Sequence, residues 1–217
     1  MALTDLLELL ASGQGADALE GAIVLARLKR PIDNLIASAL GLGPYHPGKP
    51  SPWSHTFLIA EPFHGPGTKI LDCTIRTDDG KIDWNDDLLE ILSKGIDKNG
   101  GIYDGTVGDY DDPRITKVGI KWIPTLAADQ RTAIVAAGRH LQQKGYHYDI
   151  PGLLRELIRL LTGIPVPVED KLLFCSAFVQ TAYRAAGTAD FAPGTASADV
   201  TPDDIWYSTV GQGFTPA

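Results

Sequence analysis

The chain has 217 residues, 44% of them hydrophobic and 21% charged, a globular composition long enough for a sizeable buried core. Nineteen basic against 27 acidic side chains leave a net charge of −8, which argues against a nucleic-acid-binding surface. No apolar run approaches the roughly 18 residues of a membrane span. The opening Met1-Ala2-Leu3-Thr4-Asp5 carries an acid where a secretory signal needs a basic start, so no signal peptide and a cytosolic setting are expected.

In chain order, residues 2–13 read as a helix, with Leu3, Leu6, Leu7 and Leu10 at the three-and-four spacing of one apolar face. The compact apolar run from Gly21 to Ala26 reads as a buried strand. Pro31 to Leu42 reads as a helix started by proline and ended by Gly43-Pro44. A proline-rich loop from Tyr45 to Pro52 leads into a strand from His55 to Ala60. Gly65-Pro66-Gly67 then turns the chain into a second strand, Lys69 to Arg76, whose polar face carries Asp72 and Thr74. The short Gly/Pro turn predicts antiparallel pairing of these two strands.

Between Asp72 and Asp112 stand twelve acids against four bases, so the charge excess is local. Residues 77–113 read as an acidic, loop-rich insertion, with a short helix at 88–93 followed by glycine-rich loops. A solvated face is the plain reading of its acids and a site for cationic ligands the alternative. Neither Asp78-Asp79-Gly80 nor Asp109-Tyr110-Asp111-Asp112 has the spacing of a calcium loop. Ile115 to Ile123 alternates as a strand. Helices follow from Pro124 to Lys144, from Gly152 to Thr162 and from Ser176 to Ala186, the last stopped by Gly187. The pattern is α+β, a small antiparallel sheet packed against helices in a single domain spanning 1–217.

Two cysteines make no disulfide framework, and reduced thiols are expected. Cys175 stands at the start of the last of these helices, where unpaired backbone N–H groups and the helix dipole favour a thiolate and can hold a developing oxyanion. A nucleophilic thiolate needs a base, and His55 at a strand end is the best candidate. Asp72 on the next strand can orient its ring, with Glu61 as the substitute in another register.

Leu173-Phe174-Cys175-Ser176-Ala177-Phe178 and the helix that ends at Gly187 resemble the nucleophile helix of NlpC-type, papain-like cysteine peptidases. Here the histidine of Ser54-His55 precedes the cysteine, the order of the circularly permuted YiiX/YebB-like branch. Gly145-Tyr146-His147-Tyr148-Asp149 and Thr201-Pro202-Asp203-Asp204 are similar to that branch's flanking motifs. The chain departs from it at Ala177, where a glutamate usually follows Cys-Ser. The resemblance implies a permuted papain-like fold and a Cys175, His55 and Asp72 triad, with Tyr148 and Ser176 beside the oxyanion or substrate pocket. It implies acyl transfer to water without cofactor or metal, on small peptide amides of the bacterial cell-wall type or on acyl esters.

Three rivals remain at this level. A thiol acyltransferase or lipid acyl hydrolase would use the same residues, and a binding module could keep the shell without turnover. A zinc site could draw on His46, His55, His64 and Cys73, which recur every nine residues but contain no short ligand pair.

Overall fold

The computed structural model describes residues 1–77, 82, 84, 100–148 and 172–216. Six strands form one antiparallel sheet: β1 (Ile23–Leu28), β2 (His55–Ile59), β3 (Lys69–Ile75), β4 (Gly100–Thr106), β5 (Ile115–Trp122) and β8 (Gln212–Phe214). Their order across the sheet is β4-β3-β2-β1-β5-β8. A separate parallel pair joins β6 (His147–Tyr148) to β7 (Leu172–Leu173). Five α-helices complete the described residues: α1 (Leu3–Gln14), α2 (Pro31–Leu40), α3 (Ala128–Gln143), α4 (Cys175–Ala185) and α5 (Pro202–Tyr207). None is long and apolar enough to cross a membrane. The architecture is α+β, as the sequence suggests.

Central strands buried on both faces read as continuous apolar runs, and β1 is one. Its Ile23 and Leu25 face one core with Leu58, Leu71, Cys73 and Phe178, where α3 and α4 pack. Val24, Ala26 and Leu28 face the other, with Phe57, Ile59, Ile70 and the four buried leucines of α1. Burying a leucine contributes about 2 kcal/mol, so α1 is held on the sheet chiefly by Leu3, Leu6, Leu7 and Leu10.

Two expectations are corrected. The glycine-rich stretch after the acidic segment is strand β4, paired along the whole of β3 from Lys69↔Thr106 to Ile75↔Gly100. Its glycines serve close approach: a Cβ on Gly100 would lie 2.8 Å from the Cβ of Tyr148, and one on Gly105 would lie 2.7 Å from Arg76 Nη2. Lack of side chains thus marks a packed strand rather than a loop. The helix expected from Pro124 begins only at Ala128, after a turn closed by Leu126 N–H to the Ile123 carbonyl at 3.2 Å. The expected helices at 88–93 and 152–162 lie outside the described residues.

The acids of the expected insertion that the structure describes have internal partners. Asp104 accepts from Arg139 at 2.8 Å and from Gln142, Asp109 from the Thr106 amide, Asp111 from Thr4 of α1, and Asp112 from Arg114. Asp104 ties β4 to α3 and Asp111 ties the turn before β5 to α1, while Asp109 and Asp112 bond within their own turns; Asp104, Asp109 and Asp111 are exposed, in keeping with the solvated reading.

Lys121 is buried within β5, yet its ammonium donates to the carbonyls of Trp206 and Ser208, both at 2.8 Å. It ties the C-terminal end of α5 to the sheet. Next to it, Gly119 sits under Trp53 and Trp206, whose rings lie 4.7 Å apart; an added Cβ would come within 2.6 Å of Trp53 and 3.0 Å of Trp206. Gly119→Ala is therefore expected to destabilise the fold by about 1–3 kcal/mol through overpacking. Urea unfolding reads this as a lower midpoint, and an unchanged midpoint would contradict the close packing.

Candidate active site

His55 opens β2, and Leu58 pairs with Leu71 across β3. Alternation then puts His55 and Asp72 on one face, neighbours on the diagonal. Both are fully buried, and His55 Nε2 meets Asp72 Oδ1 at 2.8 Å. The structure thus brings together the pair read from the two strands.

Tyr110, three residues short of the end of the segment read as an insertion, completes the pair. It ends a short 3₁₀ turn, Val107–Tyr110, that follows β4. Its hydroxyl donates to Asp72 Oδ2 at 2.5 Å, and its oxygen lies 3.1 Å from His55 Nε2. Its ring packs on Phe57 at 4.2 Å with a 31° tilt and lies nearly parallel to His55 at 6.1 Å. One proton arrangement satisfies all three groups. Nε2–H is shared between Asp72 and Tyr110, the Tyr110 proton goes to Asp72, and Nδ1 is the free nitrogen. His55 Nδ1 is indeed buried without a hydrogen-bond partner among the described residues.

Cys175 is the first residue of α4, just after Phe174 at the N-cap, and is 3% exposed. It lies close enough to His55 for its charge to act on the ring, although the geometry of a closed hydrogen bond is not met. Burial is the largest single influence on His55 and works to lower its pKa; the charge and contact of Asp72 and Cys175 outweigh it and raise it to about 10. Burial likewise works to raise the pKa of Asp72. The His55 charge, hydrogen bonds from His55 and Tyr110, and the charge of Arg76 overcome it and hold the carboxyl below its ordinary value.

The other expected residues have definite places. Ser176 is buried, and its hydroxyl donates to the Val200 carbonyl at 2.6 Å. Its side chain is therefore a clamp between α4 and the approach to α5, and what it can offer an oxyanion is its backbone N–H in the first helical turn. Tyr148 is 2% exposed in the core, and its pKa is driven well above the ordinary value by burial and then by Cys175 nearby. Glu61 accepts from the Lys69 amide at 2.7 Å and from His64 at 2.9 Å, not from His55.

The four residues of the zinc alternative engage four different partners: His46 Asp203, His55 Asp72, His64 Glu61, and Cys73 the Leu173 carbonyl. Among the described residues no cluster is placed to hold a metal ion. Both cysteines are free thiols, and burial, the largest cause, pushes that of Cys73 well up.

Tyr110 was the residue that the sequence reading missed. Its signal was present only as an aromatic inside an acidic run, and burial against Phe57 could not be read from that.

The sign of the linkage follows from these shifts. The raised pKa of His55 gives stability that is complete below about 6.5 and lost as pH climbs through about 10; the lowered pKa of Asp72 gives stability that is complete above the ordinary carboxylate value near 4 and lost as pH falls below it. Relative to Asp72→Asn, wild type is expected to hold an extra 3–5 kcal/mol, roughly, between about pH 4.5 and 6.5. This advantage should shrink toward pH 10. Urea midpoints of both proteins at pH 5.5, 8 and 10 check this, and a gap that does not change with pH would contradict it. Tyr110→Phe keeps the ring but leaves Asp72 Oδ2 without its donor, and a loss of about 1–3 kcal/mol is expected in the same assay.

Comparison of the chain with protein-family models finds no match, and no curated protein matches it in sequence.

Proposed function

We propose that the protein is a cysteine hydrolase that cleaves an amide or ester bond through a thioester on Cys175, on a circularly permuted papain-like fold of the NlpC type. The observation that carries this reading is the state of His55. Its Nε2 is engaged by Asp72 and Tyr110, its Nδ1 is left without a partner, and Cys175 lies close enough to act on the ring. A ring fixed in this way has one nitrogen available for proton transfer, which is what a general base beside a nucleophile requires.

In this mechanism the Cys175 proton rests on Nδ1, as the raised pKa of His55 favours, and the thiolate attacks the acyl carbonyl. The backbone N–H groups of the first turn of α4 stabilise the oxyanion. The imidazolium returns its proton to the leaving amine or alcohol as the carbon–heteroatom bond breaks. Nδ1 then removes a proton from water, hydroxide adds to the thioester, and the thiol leaves with the acid as the second product. Asp72 and Tyr110 act as positioning residues, since they act on Cys175 and the acyl group only through the His55 ring. Peptide amides of the cell-wall type are the proposed substrate class, and acyl esters of lipids differ only in the leaving group.

The test is alkylation by iodoacetamide as a function of pH, read at each cysteine by mass spectrometry. Cys175 is expected to be alkylated rapidly at neutral pH while Cys73 stays inert, and His55→Ala should slow the labelling of Cys175. Incubation with p-nitrophenyl acetate should add one acetyl group to Cys175 and none to Cys175→Ala. A Cys175 that is inert, or indifferent to His55, overturns the proposal.

A further inference from the structure

One buried nucleophile has no part in the mechanism. Cys73 is fully buried within β3. Alternation along the strand sends Asp72 and Thr74 to the face of His55, and the Cys73 thiol to the opposite face, where α4 packs. There Cys73 shares a core with Leu173, Phe174, Ala177 and Phe178, the residues on either side of Cys175 and Ser176.

The Cys73 S–H donates to the Leu173 carbonyl at 3.4 Å, and Leu173 stands two residues before Cys175. Two residues of chain span at most about 7 Å, so little backbone separates the two thiols. A charge on Cys175 is felt at Cys73, and the Tyr148 hydroxyl feels both sulfurs. Cys175 is therefore approached by His55 of β2 and by Cys73 of β3, two side chains that leave the sheet on opposite faces.

The two thiols differ in what they can attack. Burial, helped by the charges of Cys175 and Asp72, keeps Cys73 a neutral thiol. Such a thiol, closed off from solvent, does not compete for an oxidant, but it is placed to meet an electrophile formed on the neighbouring sulfur.

We propose that Cys73 is the resolving thiol for Cys175, so that a hydroperoxide converts the two free thiols into a reversible Cys73–Cys175 disulfide that switches the site off. This rests on the reading of Cys175 as an activated thiolate given above. In the first step the Cys175 thiolate attacks one oxygen of the hydroperoxide. The S–O bond forms and the O–O bond breaks, and the departing oxygen takes the proton held on His55 to leave as water or alcohol. The sulfur has given two electrons to the peroxide and is a sulfenic acid. In the second step the Cys73 sulfur displaces that oxygen. The S–S bond forms, the S–O bond breaks, and the Cys73 proton leaves with the oxygen as water.

A disulfide needs its two Cα atoms about 4.4–6.8 Å apart. Cys73 is fixed in the sheet, and Ser176 is clamped to the Val200 carbonyl. The closing adjustment therefore falls on Phe174 and Cys175, and Phe174 at the N-cap makes no side-chain capping bond that would resist it. The gain is protection. A sulfenic acid without a resolving thiol proceeds to the sulfinic acid, which small thiols do not reverse, whereas a disulfide returns both thiols on reduction.

The experiment treats wild type and Cys73→Ala with equimolar hydrogen peroxide, with or without dithiothreitol afterwards. Iodoacetamide labelling of Cys175 and mass spectrometry under non-reducing conditions are the readouts. Wild type is expected to lose two hydrogen atoms in mass, to yield a linked peptide pair carrying residues 73 and 175, and to lose Cys175 labelling until dithiothreitol restores it. Cys73→Ala is expected to gain oxygen instead, first one atom that dimedone traps and then a second, after which dithiothreitol no longer restores labelling. The wild-type linkage needs no substitution, so it decides the matter even where Cys73→Ala does not fold.

Oxygen added to Cys175 of wild type with no linked peptide, or equal recovery in wild type and Cys73→Ala, overturns the inference. Linkage between chains, read as a doubled mass, overturns it too. A Cys175 that p-nitrophenyl acetate acetylates but that never links to Cys73 removes the switch and leaves the hydrolase reading. Linkage in a protein that p-nitrophenyl acetate does not acetylate removes the hydrolase reading and supports the switch. Inertness of Cys175 to peroxide, ester and iodoacetamide alike removes both.

Discussion

The pairing of β2 with β3 is the constraint on which the rest depends. With Leu58 opposite Leu71, His55 and Phe57 share a face with Asp72 and Thr74, and the intervening residues Thr56, Leu58, Leu71 and Cys73 look to the opposite face. A slip of one residue would send either the histidine or the aspartate to the other core. Two ionisable groups can stay fully buried here because each is the other's counter-charge and Tyr110 satisfies the remaining carboxylate oxygen. The sheet register and the protonation state of the site are therefore one choice, fixed by the same backbone hydrogen bonds.

The sequence made this pair legible because the turn between the strands is short and the alternation on β3 is clear. Gly65 adopts φ 108°, a conformation that favours glycine, and Thr68 closes the turn through its amide and hydroxyl on the Gly65 carbonyl. Long-range geometry was less accessible. Gly100 and Gly105 look like loop residues in a linear reading, because the partner surfaces that exclude a Cβ come from Tyr148 and Arg76, distant in the chain. Tyr110 was hidden for the same reason. Its role depends on a ring contact with Phe57 and a hydroxyl reaching back to Asp72, neither of which has a local sequence signature. The Ser176 hydroxyl has no local signature either, since the carbonyl that accepts from it belongs to Val200, 24 residues on.

Charge is distributed in two ways in this chain. The acids between Asp104 and Asp112 are neighbours in sequence but act separately, Asp104 and Asp111 on two different helices and Asp109 and Asp112 within their own turns. Asp203 and Asp204 are adjacent and act oppositely. One closes a capping box with Thr201 at the start of α5, while the other is buried with an oxygen to spare. Net charge predicted neither arrangement, because burial and donor supply decide what a carboxylate can do.

The order of the parts along the chain has a further consequence for the biogenesis of the protein. His55, Asp72 and Tyr110 belong to strands and turns that can pair with one another once residues up to Trp122 are available, while Cys175 arrives with a later helix. In a growing polypeptide the buried histidine, its carboxylate partner and the tyrosine that bonds them all precede the Cys175 thiol.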